Sequence, residues 1–453
     1  MIMKSVRLGS GSAYWGDLME PAVELAERGE LDYLCFDHLA ELTLSILQRQ
    51  RSKDPSRGYI TDIVPWMEAI LPVARRNGTR LITNAGGANP QAAAERVIRI
   101  AREHGLTGTR VAVVTGDDVH ETMLRLNDEG MAFHNMDTGE EDLGRIRDRI
   151  VAANAYIGAD GIVEGLAQDA HVVVTGRASD NALYVGPLMH EFGWTFDDVE
   201  RMGAAVTIGH ILECAALASG SLSNFWREAQ PLSRVGFPFA DIDENGEAVV
   251  SKLDGTGGLV TEMTIKEQLL YEIHDPRRYL MPDAIADFTA PTVQQVGKDR
   301  VRVTGMTGIA RPETLKVCIG FEDGWIGEGV AMFSWPEAYD KARAGERIVR
   351  ERLDMLGVKP REIVFELLGI NTLHGPTAPE PSGDLNEVGL RVAAHCDTLA
   401  DAEVVRREIL HLWTLGGVGS AIMPPGRPRP VTSLWPTLIP RDAVDVRVEV
   451  LEA

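Results

Sequence analysis

His171-Val-Val-Val-Thr-Gly-Arg-Ala-Ser-Asp-Asn181 is a short apolar, β-branched run that breaks into a polar loop. It reads as a buried strand ending at a loop. Asn181 through Gly193 then regain helical composition, so Ser179 or Asp180 can cap a helix whose free N–H groups point back at the strand tip. An anion suits that position, and Arg177 beside it offers the bidentate geometry that a carboxylate or phosphate accepts. The competing reading leaves Arg177 in a salt bridge with a neighbouring carboxylate and the loop as ordinary capping.

The same grammar recurs earlier. Ser5 to Leu8 lead into Gly9-Ser10-Gly11-Ser12 and a helix over Leu18 to Arg28, and Asp32 to Phe36 lead into Asp37-His38-Leu39-Ala40-Glu41 and a helix to Arg51. Arg80 to Thr83 lead into Asn84-Ala-Gly86-Gly87-Ala-Asn89-Pro90 and an Ala- and Arg-rich helix; Arg110 to Val114 lead into Thr115-Gly116-Asp117-Asp118. In a parallel sheet with crossover helices these loops all emerge at the carboxyl edge, where α/β folds bind ligands. The fold class expected is therefore α/β, with a mainly parallel sheet in residues 1–236.

Beyond the fourth unit, Gly139 to Asn154 reads as an acidic, then Arg-rich helix, and Val199 to Ser219 as one long helix carrying His210, Glu213 and Cys214. From Phe237 the pattern changes. Glu247–Val250, Val301–Thr304 and Leu315–Ile319 read as strands, with hairpin signatures at Glu244-Asn-Gly246 and Glu322-Asp-Gly324. Residues 237–453 are therefore expected to form a second, α+β domain. Its glycine-rich turn at Asp254-Gly-Thr-Gly257-Gly258 follows Lys252 and could close over an anion, although such turns are common without a ligand.

Composition narrows the function classes. A formal charge of −22 over 453 residues opposes binding to nucleic acid or to an anionic membrane surface. An anionic substrate would need a local basic pocket, which screening over about 8 Å permits. Cys35, Cys214, Cys318 and Cys396 are too widely spaced for a C-x-x-C site or a disulfide framework. Met1-Ile-Met-Lys4 runs straight into the first strand without a signal peptide, and no apolar run is long enough to span a bilayer, so a cytoplasmic location is expected.

Gly9-Ser-Gly11 followed by Gly16 is not the dinucleotide fingerprint, and P-loop, H-E-x-x-H and G-x-S-x-G motifs are absent. No redox or nucleotide cofactor is expected; a divalent cation such as Mg is left open, with its ligands unknown. What remains is a set of carboxylates in strand-end loops, able to share acid and base duties or to bind a cation. Asp37, Glu41, Asp117 and His210 are the candidates for moving protons. Any one of them is more simply a cap or core residue; their convergence is the argument. The substrate-binding candidates are Gly9 and Ser10 in the first loop, Asn84, Gly86, Gly87 and Asn89 in the third, and Thr115 and Gly116 in the fourth. Asn154, then Gly176, Arg177 and Ser179 in the organising loop, then Lys252 and Gly257 complete that set.

Read in order, Leu31-Asp-Tyr-Leu-Cys-Phe-Asp37, Thr83-Asn-Ala-Gly-Gly-Ala-Asn-Pro90, Val114-Thr-Gly-Asp-Asp118 and Ala153-Asn-Ala-Tyr156 are followed by Val174-Thr-Gly-Arg177, Gly209-His-Ile-Leu-Glu-Cys214, Gly255-Thr-Gly-Gly258 and His274-Asp-Pro276. Together they resemble the acyclic terpene utilisation (AtuA) family over nearly the whole chain, Arg7 to Leu451. The resemblance implies a cytoplasmic catabolic protein encoded among acyl-CoA carboxylases, hydratases and dehydrogenases that degrade branched acyclic compounds. Some relatives carry a small ferredoxin-like domain at the C-terminus; this chain ends at Ala453 without one, which implies a separate small partner. The tail also departs from the family pattern at Gly416-Gly-Val-Gly419, where relatives have a longer glycine run.

Two functions follow as expectations. One is a lyase or hydratase acting on a small carboxylate or branched acyl-CoA, as a homo-oligomer. The other is a non-catalytic binding or assembly subunit of a multienzyme complex.

Overall fold

The computed structural model describes residues 4–453. Of these, the residues up to Gly320 together with Leu434–Ala453 form one compact unit, and Phe321–Ser433 form another.

The first unit is built on a ten-stranded sheet. Its centre is β1 (Ser5–Ser12), β2 (Tyr33–Phe36), β3 (Arg80–Thr83), β4 (Arg110–Thr115) and β6 (Val172–Thr175), side by side in the order 1-2-3-6-4 and all parallel. β5 (Ile150–Ala155) lies off this path. Antiparallel strands extend both sides: β7 (Pro238–Asp243) pairs with β1 and β8 (Ala248–Lys252) with β7. On the other side the last strand, β19 (Arg447–Glu452), pairs with β4.

Helices cover both faces because the central strands are apolar on both, as buried parallel strands must be. α1 (Met19–Arg28), α3 (Ile63–Asn77) and α4 (Pro90–Glu103) pack with Leu34, Phe36, Leu81, Val111 and Val174 on one side. α6 (Asp160–Ala167), α7 (Ala182–Phe192) and α8 (Val199–Glu213) pack with Leu8, Tyr33, Cys35, Ile82 and Val173 on the other. α2 (Glu41–Lys53) and α5 (His120–Asp128) follow the loops after β2 and β4. Cys35 and Cys318 are buried free thiols.

The smaller unit takes up the chain at Phe321, within β14 (Thr314–Ser334), and continues as α10 (Ala338–Leu356), β15 (Glu362–Leu368), β16 (Glu387–Cys396), α11 (Leu399–Leu415) and β17 (Ser420–Met423). The strand order is β15-β16-β14-β17 with every neighbour antiparallel, which is the split β-α-β-β-α-β, ferredoxin-like arrangement. Both helices lie against the sheet over a core of Phe333, Val349, Leu390, Val392 and Ile409.

Four expectations change. The boundary expected at 236/237 lies inside the first unit, because β7 returns directly to β1: a run of antiparallel hairpins extends the parallel sheet instead of starting a new one. Gly139–Asn154 is not a helix. It forms two short 3-10 turns and then β5, where strand pairing overrides helical composition. Gly9–Ser12 is strand, not loop; at Gly11 a side chain would meet the Phe36 ring at 2.4 Å. Glu322-Asp-Gly324 is not a hairpin turn, since β14 runs through it, with Gly324 at φ +86° passing close to the Cys396 carbonyl.

Candidate functional site

The loops after β2, β3, β4 and β6 meet at the carboxyl edge of the central strands, and buried polar side chains join them. Asp37 takes hydrogen bonds from Asn84 Nδ2 at 2.6 Å and from the Leu39 amide at 3.2 Å. Asn84 returns its carbonyl oxygen to the His38 amide at 2.8 Å, tying the second loop to the third. Burial and the charge of Asp180 push the Asp37 carboxyl well above its usual range, against the opposing pull of Arg177 and Asn84. His38 packs edge-on to Trp66, and burial lowers it to about 4, so it is neutral.

Asp117 binds the fourth loop to the organising one. Its Oδ2 accepts from the Arg177 amide and from Asn154 Nδ2, both at 2.8 Å. Burial pushes this carboxyl up to about 6, although both donors favour the ionised form. Gly176 is required here by close approach: an added Cβ would stand 2.2 Å from Asp117 Oδ1. Gly116, at φ +107°, is required because a Cβ would meet the Asp445 carbonyl at 2.1 Å.

Arg177 is 1% exposed. Its Nη1 donates to Asp180 Oδ1 at 2.6 Å and to the Leu39 carbonyl at 2.9 Å, while its guanidinium lies 4.1 Å from the centre of the Tyr156 ring. Its Nε has no partner. Burial opposes the charge, but Asp180, Tyr156 and Asp37 outweigh it and raise the pKa further. Tyr156 donates to Glu41 Oε1 at 2.6 Å, and Lys316 stacks on the same ring. Burial works against ionisation of Glu41, yet Tyr156, Arg177 and Lys316 together hold it at about 2. Glu41 is therefore a fixed anion and Asp117 a group that titrates.

Two neighbouring clefts open on this edge. One, of about 240 Å³, is lined by Arg51, the Gly87–Gln91 segment, Thr115, Gly116, Asp117, Asp118 and Asn154. The other, of about 550 Å³, shares Thr115, Gly116 and Asp118 and adds His120, Ala443, Asp445 and Arg447.

The structure thus brings Asp37, Glu41, Asn84, Thr115, Gly116, Asp117, Asn154, Gly176 and Arg177 to one edge. Gly87 and Asn89 join that edge in the lining of the smaller cleft, and the other candidates have scaffold roles. Gly9 lies within β1, and Ser10 receives the Tyr184 hydroxyl at 3.3 Å. Gly86 lets the third loop pack against the Thr175 carbonyl, while Gly87 also packs on Leu47 and Asn89 also caps α4. Ser179 does not cap α7; it donates to Asn181 Oδ1, while Asp180 is taken by Arg177. Lys252 is spent on the Thr256 carbonyl at 2.9 Å and on Asp299 at 3.5 Å, and Gly257 packs against the Pro231 carbonyl.

His210 sits on α8, where it is 2.8 Å from Glu213 Oε1 and 2.9 Å from the Gln268 carbonyl. Burial raises the Glu213 carboxyl against the pull of His210, and its Oε2 has no partner.

Sequence reasoning missed Arg51, Lys316 and the ring of Tyr156. Arg51 lies at the helix end where a solvated charge is the ordinary reading, and Lys316 stands in a strand with no motif around it; Tyr156 did close a conspicuous motif. Among the described residues, no group of three or more His, Cys, Asp or Glu side chains is placed to hold a metal ion, and no helix is long and apolar enough to cross a membrane.

The family model described as acyclic terpene utilisation family protein AtuA matches residues 6–450. Comparison with curated proteins and with solved structures gives no match.

Proposed function

The chain belongs to the acyclic terpene utilisation family AtuA, and on that premise we propose that it is a catabolic lyase or hydratase. Its substrate is a small carboxylate or branched acyl-CoA, and its protons are moved at the carboxyl edge of the parallel sheet. The observation that carries this reading is Asp117: it lines the 240 Å³ cleft, two donors fix its orientation, and its carboxyl sits at about 6. A carboxyl in that range is present in both proton states near neutrality, as acid and base duties require.

As carboxylate, Asp117 takes the proton next to the substrate carbonyl; as acid, it returns that proton to the leaving hydroxyl, which departs as water. The reverse sequence adds water. Charge developing on the carbonyl oxygen would be met by Arg51 on the same cleft and by the N-terminal end of α4. Arg177 acts through Asp117 as a positioning residue, by its backbone amide.

The test is turnover of branched enoyl-CoA and 3-hydroxyacyl-CoA substrates by the pure chain, with and without magnesium. The expected result is a rate with an acid limb near pH 6, reduced about 10²- to 10⁴-fold in Asp117→Asn with melting unchanged or improved. Absence of turnover across the panel, or a rate indifferent to Asp117→Asn, defeats the reading; turnover only after a second polypeptide is added would favour a shared-subunit enzyme.

A further inference from the structure

A third cleft, of about 260 Å³, lies at the start of α6, lined by Ile157, Gly158, Asp160, Arg311, Leu315, Arg441, Val444 and Val446. The segment from Arg441 to Arg447 separates it from the 550 Å³ cleft, which is lined by Ala443, Asp445 and Arg447. None of the acid–base residues discussed above lines it.

Two guanidinium groups share this small volume. Arg311 lies 3.7 Å from the centre of the Phe196 ring and makes only long contacts, 3.4 Å to each oxygen of Asp160. Among the described residues Arg441 donates to carbonyls alone, Nε and Nη2 to Pro312 at 3.1 Å and Nη2 to Pro282 at 2.5 Å. Carbonyl oxygens orient a guanidinium without neutralising it. Burial and then the charge of Arg311 push the Arg441 pKa down, the mark of a cation short of counter-charge.

Asp283 and Asp160 offset that charge only in part, since the Arg441 pKa stays lowered in their presence. Among the described residues, Asp160 is the one carboxylate lining the cleft. Asp283, behind Gly158, receives the Ala159 amide at 2.9 Å, and burial pushes its carboxyl up to about 6, so it is mostly ionised at pH 7 and loses its charge as pH falls through 6. The N-terminal end of α6 adds partial positive charge on the same side. Leu315, Val444 and Val446 make the remaining wall apolar.

We propose that this cleft is a binding site for an oxyanion, phosphate or carboxylate, carried on a small apolar body. The two arginines hold the charge, and the valine and leucine wall takes the body. The chain's overall charge opposes anions at long range, so the site works through local, short-range contacts. The proposal stands independently of the role given to Asp117.

The experiment is calorimetric titration of the full chain at low salt with inorganic phosphate, pyrophosphate and hexanoate. Saturable binding of the phosphates alone identifies a phosphate site, and of hexanoate alone a carboxylate site with its apolar wall engaged. Arg441 also ties two carbonyl groups, so the primary variant is Arg311→Gln, expected to weaken binding at least about tenfold with unchanged melting. Asp160→Asn removes the lining carboxylate and is expected to tighten binding, an effect of opposite sign that a purely structural role would not produce. No saturable binding of any probe, or one affinity shared by wild type and both variants, overturns the proposal.

Discussion

The two compact units handle polar groups in opposite ways. In the first, carboxyls and a guanidinium are drawn inside at the sheet edge, where Asp37 and Asp117 are held above their usual range and Arg177 Nε, Asn181 Nδ2 and Glu213 Oε2 are buried without partners. In the smaller unit the core is apolar, and among its described residues no buried side-chain polar atom lacks a partner. Most of its charges lie in ladders near the surface, such as Arg391 between Glu328 and Glu366, or Arg361 between Asp323 and Asp397, and its buried Glu408 is paired with Arg352. Charges held near water cost little to keep ionised. In the first unit the buried polar atoms without partners cost free energy of folding, and that cost is what the proposed site would use.

The sharpest way to break this contrast is Arg177→Met. Removing one partner of a buried charge cluster leaves Asp37 and the half-buried Asp180 without their cation, and the expected loss is about 3–5 kcal/mol in urea unfolding. A loss under about 1 kcal/mol would mean that the cluster is no more demanding than a surface pair.

Next in size is the response to pH, where the two units should differ in sign. Asp117 has a folded value near 6 against an ordinary 3.8, so the folded state binds more protons between these limits. The stability it contributes is present in full below pH 4 and lost as pH rises through 6, on the order of 3 kcal/mol. Asp323 and Glu328 are held below their usual range by Ser433 and by arginines, despite burial, so their contribution is present above that range and lost as pH falls through the lowered values. Hydrogen exchange, corrected for intrinsic rates, should show the first unit loosening from pH 4 to 6 while the second does not. Parallel behaviour in both, or a slope unchanged in Asp117→Asn, removes the basis for the contrast.

The smallest effect is expected from Glu328→Gln, a part-exposed member of the smaller unit's ladder, at about 0–1 kcal/mol in the same unfolding assay. A cost matching that of Arg177→Met would erase the distinction.

Much of the first unit was legible in the sequence because parallel strands buried on both faces announce themselves as short β-branched runs. The runs at 33–36, 80–83, 110–115 and 172–175 are all strands, each ending at a loop whose side chains meet the others. The edges of that sheet were not legible, since antiparallel strands such as β7 and β8 look the same whether they extend an old sheet or begin a new one. Local composition also misled where packing decides conformation. Gly9-Ser-Gly-Ser12 has the residues of a loop, yet glycine is there because Leu31 and Phe36 leave no room for a side chain. Within the site, the residue types were readable and their partners were not. Arg177 was recognisable as a cation at a strand tip, but its engagement with Asp180 and the Tyr156 ring depends on where distant segments return.

The chain leaves the first unit at Gly320 and re-enters it only at Leu434, and β19, near its end, supplies the partner strand for β4. On a ribosome delivering about 5–20 residues per second, the edge of β4 waits unpaired while the whole intervening unit is synthesised. Ala443, Asp445 and Arg447, which wall the larger carboxyl-edge cleft, emerge in the same late stretch. The order of synthesis therefore acts as a timer: the parallel core can assemble early, but the cleft has all its walls only when the final strand arrives.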